Sequence, residues 1–299
     1  MAVHAMGLDI NSVRFLIDAS RRGTKFGEVL TFGRQDLNVF PARMVKLLEA
    51  HGFNAAAFKG DAKALHAEPC FLSLGASKVY SMDVSGFEGA SFIHDLNQPI
   101  GPELNERFDV VYDGGTLEHV FNFPTALKNC MQMVRVGGRF FTHTVANNWC
   151  GHGFYQFSPE LFYRALSQEN GFEVERLVAH RAGPYGRWYE VADPERIHSR
   201  VELLTFSPLM LLIQARRVKL TAIFAASPQQ SDYTPRWRNQ AASAPDGAPA
   251  PNPYAAPRPW LARFLPGLAR LLHVIKIGVG IYWQQSLWNR KCFRPVKKP

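Results

Sequence analysis

Cysteine is scarce and scattered. Cys70, Cys130, Cys150 and Cys292 stand far apart, with neither zinc-ligand spacing nor the density of a disulfide framework. They read as small buried hydrophobes in a reducing cytosol. The first residues lack a basic segment followed by an unbroken apolar stretch, so no secretory leader is expected and the chain reads as cytoplasmic. The three spaced glycines that a nicotinamide-binding first turn needs are also missing, which argues against an oxidoreductase of that kind. There is no internal repeat. Acidic residues are absent from one whole end: none follows Asp246, whereas Arg258, Arg263, Arg270, Lys276, Arg290, Lys291, Arg294, Lys297 and Lys298 do. Taking those nine from the 34 basic residues leaves 25, equal to the 25 acids, so the body is neutral and the tail holds the net charge of +9.

What is present is a run of alternating strand and helix signals in 299 residues, 46% of them hydrophobic. Ile10 to Arg22 reads as a helix, capped by Asn11 or Ser12 and ended by Gly23. Glu28 to Phe32 reads as the first strand and Pro41 to His51 as a helix with proline in its first turn. Lys59 to Leu74 is an irregular excursion. Lys78 to Asp83 and Ala90 to Asp95 are apolar runs that each end in aspartate. Phe108 to Tyr112 is a fourth strand, Pro124 to Val134 a helix, and Arg139 to Val145 a fifth strand. Pro159 to Leu166 is a helix and Phe172 to Val178 an alternating, half-buried strand. Leu209 to Ala215 and Lys219 to Ala225 offer one or two closing strands. This order predicts an α/β fold with a doubly wound, mostly parallel, seven-stranded sheet covered on both faces. The expected division is an α/β domain over 1–225, a Pro/Ala-rich linker over 226–259 and a basic amphipathic segment over 260–299.

Asp83 and Asp95 are the sharpest chemical signals. An ionised carboxylate at a strand end suits a ribose diol or an adenine amino group, and Gly33 would let a ligand approach backbone N–H groups. The competing reading of each aspartate alone is a turn or cap residue. The segment Asp113-Gly114-Gly115-Thr116-Leu117-Glu118-His119-Val120 follows the fourth strand, and ligands of doubly wound sheets bind at such carboxyl ends.

The runs Glu28 to Gly33, Val79 to Asp83, Ile93-His94-Asp95-Leu96, Asp109 to Val120 and Gly137-Gly138-Arg139-Phe140 together resemble the class I S-adenosylmethionine-dependent methyltransferases, in particular those with a Leu-Glu-His motif after the fourth strand. The resemblance covers roughly 28–225. It implies a methyltransferase with S-adenosyl-L-methionine as cofactor, with Asp83 on the ribose hydroxyls and Asp95 with Leu96 framing the adenine. Gly33, Asp113 and Gly114 would lie by the rest of the cofactor, and the acceptor would be a small molecule such as a sugar or lipid. The chain departs from the family at Phe32-Gly33-Arg34-Gln35-Asp36, where several glycines are usual. The alternative is a binding or scaffold protein on the same fold.

His119, His143 and His152 are candidate bases, and none is assigned as catalytic. His119 reads more readily as a helix residue packed beside the sheet, His143 also reads as a core histidine, and the loop of His152 suits a substrate wall or an ordinary packed loop. No metal site is expected. Leu261 to Trp288 is apolar but interrupted by Arg263, Arg270, His273 and Lys276, which disfavours a spanning helix. It suits an amphipathic segment on an anionic membrane surface, or a helix packed on the body. Nucleic acid ranks last, because the bases belong to no recognisable nucleic-acid module.

Overall fold

The computed structural model describes residues 7–58, 66–86, 88–233 and 266–299. Helix α1 (Ile10–Arg21) starts at Asp9, whose carboxylate accepts the backbone N–H groups of Asn11 and Ser12. The cap is thus earlier than the expected Asn11 or Ser12, because a carboxylate serves two orphan donors at once. The chain continues through β1 (Gly27–Phe32), α2 (Pro41–Ala50), α3 (Glu68–Ser73), β2 (Ala76–Asp83), β3 (Phe92–Ile93) and β4 (Phe108–Asp113). Then come α4 (Phe123–Met133), β5 (Val134–Asn147), α5 (Pro159–Ala165), β6 (Phe172–Arg181), β7 (Trp188–Val191), α6 (Pro194–Ile197), β8 (Leu209–Arg217), α7 (Pro266–Gln285) and β9 (Phe293–Val296).

Among the described residues these strands form one nine-stranded sheet in the order β3-β2-β1-β4-β5-β8-β6-β7-β9. The pairs from β3 to β5 are parallel, and those from β5 to β9 are antiparallel. It follows that β1 to β6 and β9 run one way and only β7 and β8 run against them. The doubly wound, mostly parallel expectation holds, but the count of seven is corrected to nine. The two added strands are β7 and β9, at the far edge.

Lys219 to Ala225 is not a strand. Its backbone turns back on itself: Val218 N donates to Gly171 O at 2.8 Å, Phe224 N donates to Asn170 Oδ1 at 2.9 Å, and Phe224 is left-handed at φ 57. Helix α4 passes into β5 with no loop, and the Arg217 guanidinium donates to Gln132 O at 3.0 Å and Val134 O at 2.6 Å across that junction. Those bonds satisfy carbonyls that a helix end leaves free.

Alternation along the strands builds a core on each face. Phe140, Val111 and Leu30 join α4 and α5 on one side, whereas Phe141, Val110 and Val29 join α1, α2 and α3 on the other. Part of the expected excursion (59–65) and most of the expected linker (226–259) lie outside the described residues.

Candidate functional site

Strand β1 sits between β2 and β4, so the chain runs outward to β2 and β3 and then returns to β4 on the other side. That reversal makes the ends of β1 and β4 a topological switch point, the place where ligands of open α/β sheets bind. Gly33, left-handed at φ 69, turns the chain out of β1, with its N–H on Met82 O at 2.7 Å. Asp83 ends β2 alongside it. Its Oδ1 accepts Ser85 N at 2.9 Å, while Oδ2 faces the turn, 3.8 Å from where a Cβ on Gly33 would stand. The structure therefore brings Gly33 and Asp83 together.

The other expected site residues have partners within the chain. Asp95 is exposed and spends Oδ1 on Asn97 N and Nδ2 at 2.9 and 2.8 Å, and these bonds hold its carboxyl below the usual range. Leu96 is buried in the core, with its carbonyl on Asn129 Nδ2. Asp113 is fully buried at the end of β4. Its Oδ1 accepts Thr116 N at 2.9 Å and its Oδ2 accepts the Thr142 hydroxyl at 2.6 Å. Burial pushes its pKa up to about 6, against the pull of those bonds. Asp113 thus shapes the turn that carries Gly114 and has no exposed surface of its own.

Gln35, which the sequence marked only as bulk, lies between the two turns. It is 7% exposed, and its amide N–H donates to Phe32 O. A Cβ on Gly114 would meet Gln35 Oε1 at 2.0 Å, and one on Gly33 would lie 3.8 Å from Gln35 Nε2. Its Oε1 is buried with no hydrogen-bond partner. A side chain therefore fills the space beside Gly114.

A second cluster follows β4 on the α4 face. Glu118 has no exposed side-chain surface, and its Oε2 accepts the Thr144 hydroxyl at 2.9 Å. Its Oε1 has no hydrogen-bond partner and faces His152 Nε2, equally unpartnered, at 3.8 Å. Burial first, and then the charge of Asp113, pushes Glu118 up to about 8. Burial lowers the pKa of both His119 and His152, and the neighbouring His152 lowers His119 further. Ligand atoms of Glu118, His119 and His152 all lie within 4.8 Å of one another, a set that could hold a metal ion. Sequence reading weighed the two histidines as bases or as packing residues and missed this grouping. The Glu118-His119 step was visible, but nothing local joins it to His152.

On the opposite face, a cavity of about 350 Å³ is lined by Asp9, Phe40, Arg43, His143, Trp149 and Met210. From its floor a buried chain runs inward: Ser12 Oγ to His143 Nδ1 at 2.8 Å, His143 Nε2 to His180 Nε2 at 3.0 Å, and His180 Nδ1 to Arg181 O at 2.9 Å. A carbonyl only accepts, so His180 carries its proton on Nδ1. The Ser12 hydroxyl also donates to Asp9 Oδ1 at 3.0 Å, and its single proton cannot serve His143 Nδ1 as well. Burial lowers both histidines, His180 to about 3 with His143 as the second cause. His143 is thus a buried core histidine at the edge of a cavity.

No protein-family model matches the chain, and no curated protein matches it. Similar solved structures include the Burkholderia thailandensis 1,6-didemethyltoxoflavin-N1-methyltransferase, bound to 1,6-didemethyltoxoflavin and S-adenosylhomocysteine. It is 16% identical, with 70% of this chain and 80% of that one covered and a TM-score of 0.37. The N-methyltransferase NodS from Bradyrhizobium japonicum is 13% identical over 71% of this chain and 100% of that one, with a TM-score of 0.37. The branched-chain polyamine synthase from Thermus thermophilus, in complex with N4-aminopropylspermidine and 5'-methylthioadenosine, is 14% identical over 77% and 64%, with a TM-score of 0.38. At these TM-scores none of them carries a functional inference for this chain.

Proposed function

We propose that the switch point at the ends of β1, β2 and β4 binds S-adenosyl-L-methionine and that the chain transfers its methyl group to a small-molecule acceptor, such as a sugar or lipid. The observation that supports this most directly is Asp83 Oδ2 standing over the left-handed Gly33 turn at the switch point. A carboxylate oxygen there suits the hydroxyls of a ribose.

In this reading Asp83 takes the ribose hydroxyls and the segment of Asp95 and Leu96 frames the adenine. The methionine half requires Gln35 to swing out from beside Gly114. What must move is one side chain, held among the described residues by one bond, to Phe32 O, and leaving a buried acceptor unsatisfied, which makes the filled arrangement costly in itself. When bound, the cofactor would supply a methyl group already activated on a sulfonium. The chain's contribution is then alignment. The cavity at Phe40, His143 and Trp149 offers a place for the acceptor, and a base is needed only for acceptors that must lose a proton. Excess S-adenosylhomocysteine should raise the thermal midpoint of the wild-type protein by mass action, and the rise should vanish in Asp83→Ala. An equal rise in both would refute the assignment of Asp83.

Gln35 also supports a second reading, a binding or scaffold protein whose switch point is closed for good. That reading requires that Gln35→Ala bind no cofactor.

The C-terminal helix supports a further partner. Leu271, Ile275, Val279 and Trp283 recur every four residues of α7 and are all exposed. Exposed Lys276 and Arg290 accompany them, and no acid follows Asp246. Among the described residues no helix is long and apolar enough to cross a membrane. An apolar ridge with basic neighbours instead suits rest on an anionic lipid surface.

A further inference from the structure

We propose that Glu118, His119 and His152 form a binding site for a divalent first-row transition-metal ion, for which Zn²⁺ is the natural probe. Two buried polar atoms, Glu118 Oε1 and His152 Nε2, face each other at 3.8 Å with no partner for either. Buried polar atoms are almost always satisfied, so a facing pair of orphans marks the place of a third body. The separation is too long for a hydrogen bond. It is close to the spacing of two ligands that each stand about 2.0–2.2 Å from a shared ion.

His119 distinguishes an ion from a bridging water. It adds a third donor within the same 4.8 Å cluster, from the exposed side. Two imidazoles and a carboxylate make a donor set of borderline softness, suited to Zn²⁺ and its neighbours, whereas Ca²⁺ and Mg²⁺ prefer oxygen alone.

The surroundings are built to hold these ligands in place. The Thr144 hydroxyl fixes Glu118 Oε2 and so directs Oε1 into the cluster, the kind of outer contact that orients metal-binding carboxylates. The loop bearing His152 is tied to the turn bearing Glu118 and His119, because Phe154 N and Tyr155 N donate to Glu118 O at 2.8 and 3.2 Å. Gly153 permits that approach: a Cβ there would stand 2.7 Å from Glu118 O. Three protein ligands leave at least one coordination position open, as in sites where a metal polarises a bound oxygen. The site is independent of whether the switch point binds a cofactor.

The test uses the full chain stripped by a chelator and titrated with Zn²⁺ in a calorimeter. Co²⁺ in place of Zn²⁺ gives a visible spectrum that reports the ligand set. Saturable binding of about one ion per chain is expected. His119→Ala, at an exposed position where folding is least at risk, should weaken it by more than about tenfold, and Glu118→Gln, which keeps an oxygen for Thr144, by at least as much. Thr144→Val should weaken it by about 10- to 100-fold, the range for outer-shell contacts. Absence of saturable binding, or equal affinity in wild type and the folded His119→Ala protein, would overturn the proposal.

Discussion

Gly114→Ala is expected to destabilise the protein through Gln35. A Cβ at this position would lie 2.0 Å from Gln35 Oε1, 2.8 Å from Gln35 Cδ and 2.9 Å from Tyr112 Cε1. All three are inside ordinary contact, and Gly114 does not have a left-handed backbone, so the cost is steric. Overpacking of this kind costs about 1–3 kcal/mol. Gln35→Ala removes the two closest atoms and loses one hydrogen bond to Phe32 O, a loss of about 1 kcal/mol offset by removing an unsatisfied buried oxygen. The double variant should therefore recover most of what Gly114→Ala loses, with a remainder due to Tyr112. A double-mutant cycle from urea unfolding should show a coupling of at least about 1 kcal/mol. Strict additivity of the two single changes would refute the claim that Gln35 fills the space beside Gly114.

Three further outcomes are expected. Stability should fall as pH drops from about 6.5 toward 3, because the unfolded chain protonates His180 in that window while burial keeps the folded ring neutral. The slope is about 1.4 kcal/mol per pH unit from this group. Urea midpoints against pH should flatten over the same range in His180→Asn, and an unchanged slope would refute the assignment. Thr142→Val should cost about 1.5–3 kcal/mol, the worth of a hydrogen bond to a charged group, because it strips a 2.6 Å bond from buried Asp113; chemical denaturation checks this. Finally, the full chain should sediment with vesicles containing anionic lipid and not with neutral ones, and Leu271→Ser with Val279→Ser should release it. Equal sedimentation of that double variant would remove α7 from the contact.

Much of the fold was legible because β4 and the later parts of β1 and β5 are buried on both faces and read as near-continuous apolar runs. The missed strands are short and at the edge. β7 is four residues, and β9 contains Pro295, a residue that only an edge strand tolerates. Lys219 to Ala225 misled by composition: its residues are apolar, but its backbone bonds go to Asn170 and Gly171 and not to a strand. At the switch point, Gly33 and Asp83 could be read from strand ends. The use of Asp95 on Asn97 was also readable, as an aspartate followed two residues later by an asparagine. The position of Gln35 against Gly114 could not be read, since no local pattern relates those residues. The same holds for Glu118 and His152, and for the chain from Ser12 through His143 to His180.

Calorimetric titration of the purified protein with S-adenosyl-L-methionine, alongside Asp83→Ala and Gln35→Ala, tests the central claim most directly. Binding near one per chain, abolished in Asp83→Ala and tightened in Gln35→Ala, is the expected result. Folded protein that binds none, with Gln35→Ala equally silent, would contradict it.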